Sequence, residues 1–262
     1  MDDKHFFYLC GLPRAGNTLF ASIINQNKNI SVTGNSIICD MLYQINELKH
    51  TETFTLFNNV KSFDNVLLNI MNNYYSNWDS KYIIDRSSWG TPYNLELLKT
   101  LNNDIKIIVL VRDIKEIIAS FIRFSYMSND NYISNNATTI EDRFDFIYNG
   151  ELSKWIYAVK NLIQPDNRKY FHLVEYNDLV SNTKEEIDKI YKYLDIPVFK
   201  HKFNNLEQLE NNGVLYNDRL LGEGLHTIMT DKVEKRDYNM HDYLPKDLSK
   251  YDLIPFWRKG GV

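Results

Sequence analysis

Cysteine is nearly absent from this 262-residue chain, with Cys10 and Cys39 its only two. Two thiols make no disulfide framework for a chain of this size, and neither stands in a C-x-x-C pair. Their apolar neighbours read as the setting of small buried hydrophobes. A basic excess is also lacking: 30 Lys and Arg against 34 Asp and Glu give a formal net charge of -4 and a pI of about 5.9, the reverse of a nucleic-acid binder. Any site for a polyanion must therefore be a local cluster of Arg, Lys and backbone N–H groups. No apolar run approaches the ~18 residues of a spanning helix, and Met1-Asp2-Asp3-Lys4 is no basic leader. The expectation is a cytoplasmic protein with no membrane span and no nucleic-acid partner. HExxH, Cys/His ligand sets and G-x-S-x-G are missing as well, so metal-hydrolase and serine-hydrolase chemistry has no support.

What is present is a chain 44% hydrophobic, enough for one sizeable core. His5 to Cys10 is a short apolar strand, Gly11-Leu12-Pro13 a turn, and Leu19, Phe20, Ile23 and Ile24 recur at helical spacing. Residues 30–33 are extended. Helices are predicted over 36–48 and 62–75, a strand over 81–85, and a helix opening at Thr91-Pro92. Ile105 to Val111 (IKIIVLV) is the clearest strand, and such a run suits a parallel strand covered on both faces. Asp113 caps a helix to about Phe124. The Asn- and Ser-rich stretch 126–139 reads as a loop or lid, 141–162 as one helix, 170–174 as a strand, and 184–194 as a helix ending before Pro197. Strands alternating with helices, without repeats or linkers, predict an α/β fold. It is one domain over 1–262, a central, mainly parallel sheet flanked by helices, of the P-loop nucleotide-binding type. Its nucleotide-binding core spans about 5–197, and 198–262 covers the site.

Gly11-Leu12-Pro13-Arg14-Ala15-Gly16-Asn17-Thr18 stands where a phosphate-binding loop must stand, after a core strand and at the start of a helix. The spacing is that of G-x-x-x-x-G-K-[ST], except that Asn17 replaces the Lys that neutralises the β- and γ-phosphates. The positive charge comes instead from Arg14, whose planar fork suits bidentate contact with phosphate or sulfonate. A sulfonate carries less charge than a phosphoryl group, so a metal clamp is less needed. Further on, Arg112 ends the strand IKIIVLV and Ser120 follows eight positions later. That is the strand edge where open α/β sheets bind ligands.

These two segments resemble the sulfotransferases that use 3′-phosphoadenosine 5′-phosphosulfate (PAPS), whose loop commonly reads like GxPRSGTT. The likeness runs from about Phe6 to Pro197. It implies that Pro13, Arg14, Ala15, Gly16, Asn17 and Thr18 form the loop holding the 5′-phosphate and sulfonate, and that Arg112 and Ser120 grip the 3′-phosphate. It further implies that Arg86, at the end of a strand, contacts the transferring group, and that Tyr176, in EYNDLV, lies near the adenine. The implied reaction is in-line transfer of sulfonate from PAPS to a hydroxyl or amine of an unidentified acceptor (carbohydrate, lipid, peptide or small molecule), with no metal required.

A hydroxyl acceptor usually needs a general base. Protein-tyrosine sulfotransferases place a Glu shortly after the first helix, but here Asn35 occupies that position and an amide accepts no proton. Asp40 reads as a helix-surface carboxylate. His226, in the Gly-rich segment GEGLH, is a candidate base folding back over the site. Lys232, Lys235 and Arg236 either close over the nucleotide or form a solvated run. Two other readings stay open: a P-loop kinase for a small molecule or nucleotide, with Asp85 and Asp113 as Mg²⁺ ligands, and a non-catalytic PAPS-binding module.

Overall fold

Ile107–Val111 is buried at every position, with no polar side chain to turn toward water. Such a strand can only lie inside a sheet with both faces covered. In the computed structural model, which describes residues 4–127, 130–208, 226–236 and 238–258, it lies inside a five-stranded sheet. The strands are β1 (His5–Leu9), β2 (Ile30–Asn35), β3 (Tyr82–Arg86), β4 (Ile107–Val111) and β5 (Phe171–Glu175), in the order β2-β3-β1-β4-β5. Every pairing is parallel, including Leu9 with Arg86 and Val111 with Glu175. The domain is the predicted α/β fold, and all five strands end at the same edge.

Helices α1 (Asn17–Ile24), α2 (Ile38–Glu47), α3 (Glu52–Leu56), α4 (Val60–Tyr74) and α5 (Pro92–Leu101) belong to the first half of the chain. Helices α6 (Ile114–Ser125), α7 (Tyr132–Asn136), α8 (Ile140–Phe146), α9 (Ser153–Leu162), α10 (Tyr176–Ser181) and α11 (Thr183–Leu194) belong to the second. Asp113 caps α6, its carboxylate accepting from the N–H groups of Lys115 (2.8 Å) and Glu116 (3.3 Å). Cys10 and Cys39 are buried among hydrophobes, and burial pushes both thiols up to about 12. Among the described residues no helix is long and apolar enough to cross a membrane.

Two expectations need correction. The stretch 126–139 contains a helix: Asn131 accepts from the N–H groups of Ile133 and Ser134, caps α7, and donates to the carbonyl of Ser125 at 3.0 Å. A side chain that satisfies orphan N–H groups offsets the poor propensity of an Asn- and Ser-rich run. The helix predicted over 141–162 is broken. Between α8 and α9 the chain widens into a π-turn over Ile147–Glu151, where the Leu152 N–H reaches back five residues to the Ile147 carbonyl at 2.9 Å.

Candidate functional site

The site begins where β1 ends. The N–H groups of Cys10 and Leu12 donate to the Ile108 and Leu110 carbonyls at 2.9 and 2.8 Å, so the loop is laid along β4. Arg14 (φ 59°) and Gly16 (φ 87°) both adopt left-handed backbone, a geometry that turns successive N–H groups to one side as an anion cradle. The Phe20 N–H bonds the Gly16 carbonyl at 2.8 Å, which leaves the N–H groups of Asn17, Thr18 and Leu19 without an intrahelical acceptor. No acidic residue stands in that first turn. Asn17 does not replace the missing Lys as a charge. Its amide donates to the Leu12 carbonyl at 2.7 Å and pins the loop from inside. Pro13, Arg14, Gly16, Asn17 and Thr18 line the cleft above, whereas Ala15 is fully buried and not part of its lining.

Gly16 is doubly constrained. Besides its positive φ, a Cβ there would lie 2.9 Å from the Tyr176 ring. Left-handed backbone costs a residue with a Cβ about 1–2 kcal/mol, and the ring clash adds to it. Gly16→Ala should raise the dissociation constant for a loop-bound nucleotide by about tenfold or more while the far-ultraviolet circular dichroism stays unchanged. Calorimetry beside the spectrum checks this.

Arg14, Arg112 and Ser120 meet around the loop as the sequence implies, with a linkage it did not show. Ser120 is joined to Arg14, whose Nε–H donates to its Oγ at 3.1 Å. Arg112 donates from Nε to Glu116 at 2.9 Å and from Nη1 to the Arg14 carbonyl at 3.0 Å, and its guanidinium lies 4.2 Å from the Tyr176 ring centre. Tyr176 is buried, opens α10, and packs against both Gly16 and Arg112. Glu116 is shared with Lys235 at 2.6 Å. Burial raises its carboxyl, but hydrogen bonds from Lys235 and Arg112 prevail and hold it below the ordinary range.

More cations join: Arg123, which the sequence did not single out, and Arg236, which it did. Arg123, on α6, and Arg236 lie at 5.7 and 5.4 Å from the Phe124 ring centre, and Arg14 lies 4.8 Å from the same ring. Burial, then the charges of Arg236 and Arg112, lower the Arg14 guanidinium to about 9. The resulting cleft holds about 300 Å³. Among the described residues, six cationic side chains line it (Arg14, Arg86, Arg112, Arg123, Lys232 and Arg236) against two carboxylates, Glu151 and Glu234. In a chain of net charge -4 this is the local cluster that a polyanion requires.

The other end of the cleft is built from β2, β3 and the π-turn. Arg86 is buried, donates from Nη1 to Asn35 Oδ1, and lies 5.3 Å from the Trp155 ring centre. Its Nε is buried with no partner among the described residues. Beside it Asp85 is fully buried and accepts from Tyr75 Oη and from Trp89 Nε1 (2.8 Å). Burial raises its carboxyl above the ordinary range despite bonds from Ser36, Tyr75 and Trp89. The acids a kinase reading needs are thus engaged structurally: Asp85 holds β3 to Tyr75 and Trp89, and Asp113 caps α6. Asp40 is exposed and lies 3.4 Å from Lys154. His226, Lys232 and Arg236 line the cleft, while the residues Gly222 to Leu225 that precede His226 lie outside the described ones. Lys235 faces Glu116. Glu151 and Trp155, half-buried and lining the cleft, were not singled out from sequence.

A family model described as "Sulfotransferase domain" matches residues 4–212. Among solved structures, the chain is similar to the sulfotransferase domain from the curacin biosynthetic pathway, with 16% identity, a TM-score of 0.55, and coverage of 98% of this chain and 95% of that one. It is similar to the sulfotransferase domain of the Synechococcus PCC 7002 olefin synthase (18% identity, TM-score 0.50, 76% of each chain). A sulfotransferase from Alicyclobacillus acidocaldarius gives 11% identity and a TM-score of 0.51 over 83% of this chain and 88% of that one. At these identities the likeness shows a shared fold.

Proposed function

The chain belongs to the sulfotransferase domain family, and from that premise we propose that it takes its sulfonate from PAPS and delivers it to an acceptor at the Arg86 end of the cleft. The observation that carries this reading is the bonded group of Arg14, Arg112 and Ser120 at the open N-terminus of α1. It suits a ligand with two separated anionic groups. The N–H groups of Asn17, Thr18 and Leu19, with Arg14, are suited to the 5′-phosphosulfate. Arg112 has five N–H donors, of which two are spent on Glu116 and the Arg14 carbonyl. The remaining three, with the Ser120 hydroxyl proton, are suited to the 3′-phosphate. The crowding that lowers Arg14 is relieved when an anion arrives, so the site favours the charged ligand over water.

As the sulfonate moves, negative charge develops on the departing nucleotide. Donors already fixed by the fold stabilise that charge without reorganising. Arg86 is held by Asn35 and Trp155, and its Nε, without a partner among the described residues, leaves it donor capacity for this role. Among the described cleft side chains, His226, Glu151 and Glu234 have the chemistry to take the acceptor's proton, and Glu234 is paired with Lys232.

The test is transfer itself. Purified protein given PAPS labelled in the sulfonate, without Mg²⁺, should release 3′-phosphoadenosine 5′-phosphate (PAP) and move label onto members of a mixed panel of alcohols and amines. Label that stays in PAPS at every enzyme concentration would overturn the catalytic reading.

A further inference from the structure

We propose that Glu151 is the catalytic base, and that the acceptor is a neutral alcohol or phenol lying between the π-turn and Arg86. The inference rests on the PAPS reading above and adds the acceptor half of the site.

Geometry carries it. Glu151 is the last residue of the π-turn, and the extra residue in that turn shifts the helix register by one position at this point. The turn places Glu151 in the wall of the same cleft as Asn35, Arg86 and Trp155. Trp155 follows one helical turn later and carries the Arg86 guanidinium over its ring.

The carboxylates around the site differ in their partners. Glu116 is bonded to Arg112 and Lys235. Glu234 is bonded to Lys232 at 2.6 Å. Asp85 is bonded to Tyr75 and Trp89. Glu151 has no hydrogen-bond or ion-pair partner among the described residues, although six cationic side chains line the same cleft. A carboxylate in a cationic cleft that pairs with none of the described cations is available to a ligand. Half-burial in that wall raises its carboxyl above the ordinary range, nearer the pH at which a base works best.

Asn35 explains why the base has to come from this side. Its side-chain oxygen is spent on Arg86, and an amide there takes no proton. The fold uses the end of β2 to aim a cation and brings a carboxylate into the same cleft from the π-turn. The acceptor class follows from the base. An amine with an ordinary pKa enters as a cation and must lose a proton before it can attack, whereas a carboxylate base assists a hydroxyl during the transfer itself. A hydroxyl enters neutral.

The step balances. The acceptor oxygen forms a bond to sulfur as the bond from sulfur to the 5′-phosphate oxygen breaks. The acceptor O–H proton passes to the Glu151 carboxylate and then to solvent. The products are a sulfate monoester and PAP, which leaves with the electron pair of the broken bond.

The probes are water and a series of ring-substituted phenols, with PAP release followed across a range of pH. Glu151→Gln should lower kcat about 100-fold and leave PAP affinity within about twofold of wild type. It should also abolish the acid limb of the rate profile, below which wild-type activity falls as the carboxyl protonates. The loss should shrink as the phenol becomes more acidic, because such an acceptor needs less help with its proton. Glu151→Asp should restore part of the limb. An acid limb that persists in Glu151→Gln, or that moves in His226→Gln instead, would overturn the assignment. So would wild-type protein that binds PAP and turns over with neither probe. Failure to bind PAP at all would sink the co-substrate reading beneath it, and titration before the assay separates the two failures.

Discussion

Replacing Arg112 with Ala should weaken PAP binding about 100-fold. A charge-assisted hydrogen bond contributes about 1.5–3 kcal/mol, and each 1.4 kcal/mol is a factor of ten. Among the described residues Arg112 has three unspent N–H donors, and it holds the Arg14 carbonyl, so its loss removes the proposed phosphate contact and loosens the loop together. Glu116, which it covers, keeps Lys235 as a partner, so the variant is not left with an orphaned carboxylate. Arg112→Lys should recover only part of the loss. An ammonium restores the charge but not the planar fork that reaches Glu116 and Arg14 at once and stacks on Tyr176. Calorimetric titration of both variants checks this, with thermal unfolding as the control for folding. Unchanged affinity in Arg112→Ala would remove the 3′-phosphate from this position.

Arg86→Ala should act on the other kinetic constant. Arg86 stands on β3, across β1 from Arg112, at the end of the cleft shared with Asn35 and Trp155. Its proposed work is on charge that develops only during transfer, and removal of one such donor costs about 10²–10³-fold in kcat. PAP affinity should change no more than a few-fold. Asn35→Ala should give a smaller loss of the same kind, because it removes the group that aims the guanidinium and not the guanidinium itself. Steady-state kinetics with PAPS separates the effects. A rise in KM with kcat intact would make Arg86 a binding residue instead.

The parts of this site that the sequence revealed are those whose chemistry is local. A strand, seven loop residues and a helix start are contiguous between His5 and Ile24, and their N–H groups need no distant partner to form a cradle. Arg112 and Ser120 were legible because a strand end and the following helix fix their separation. What stayed hidden depends on tertiary contact. Arg123 on α6 reads as any helix-surface arginine until Phe124 and Tyr238 are packed beside it. The bond between Arg14 and Ser120 joins residues 106 positions apart. Glu151 was masked by periodicity: 141–162 reads as one helix, and the five-residue step between the buried Ile147 and Leu152 is the only trace of the π-turn. The acids that kept a kinase reading open look alike in sequence and separate only when their partners appear, a side-chain cluster for Asp85 and backbone N–H groups for Asp113.

The central claim is that the cleft above the β1 loop is built for a nucleotide bearing a 3′-phosphate. The most direct measurement is a pair of calorimetric titrations without Mg²⁺, one with PAP and one with adenosine 5′-monophosphate, which differs only by that phosphate. The account predicts micromolar affinity for PAP and about 100-fold weaker binding of the monophosphate, the difference collapsing in Arg112→Ala. Equal affinity for the two nucleotides in the wild-type protein would contradict it.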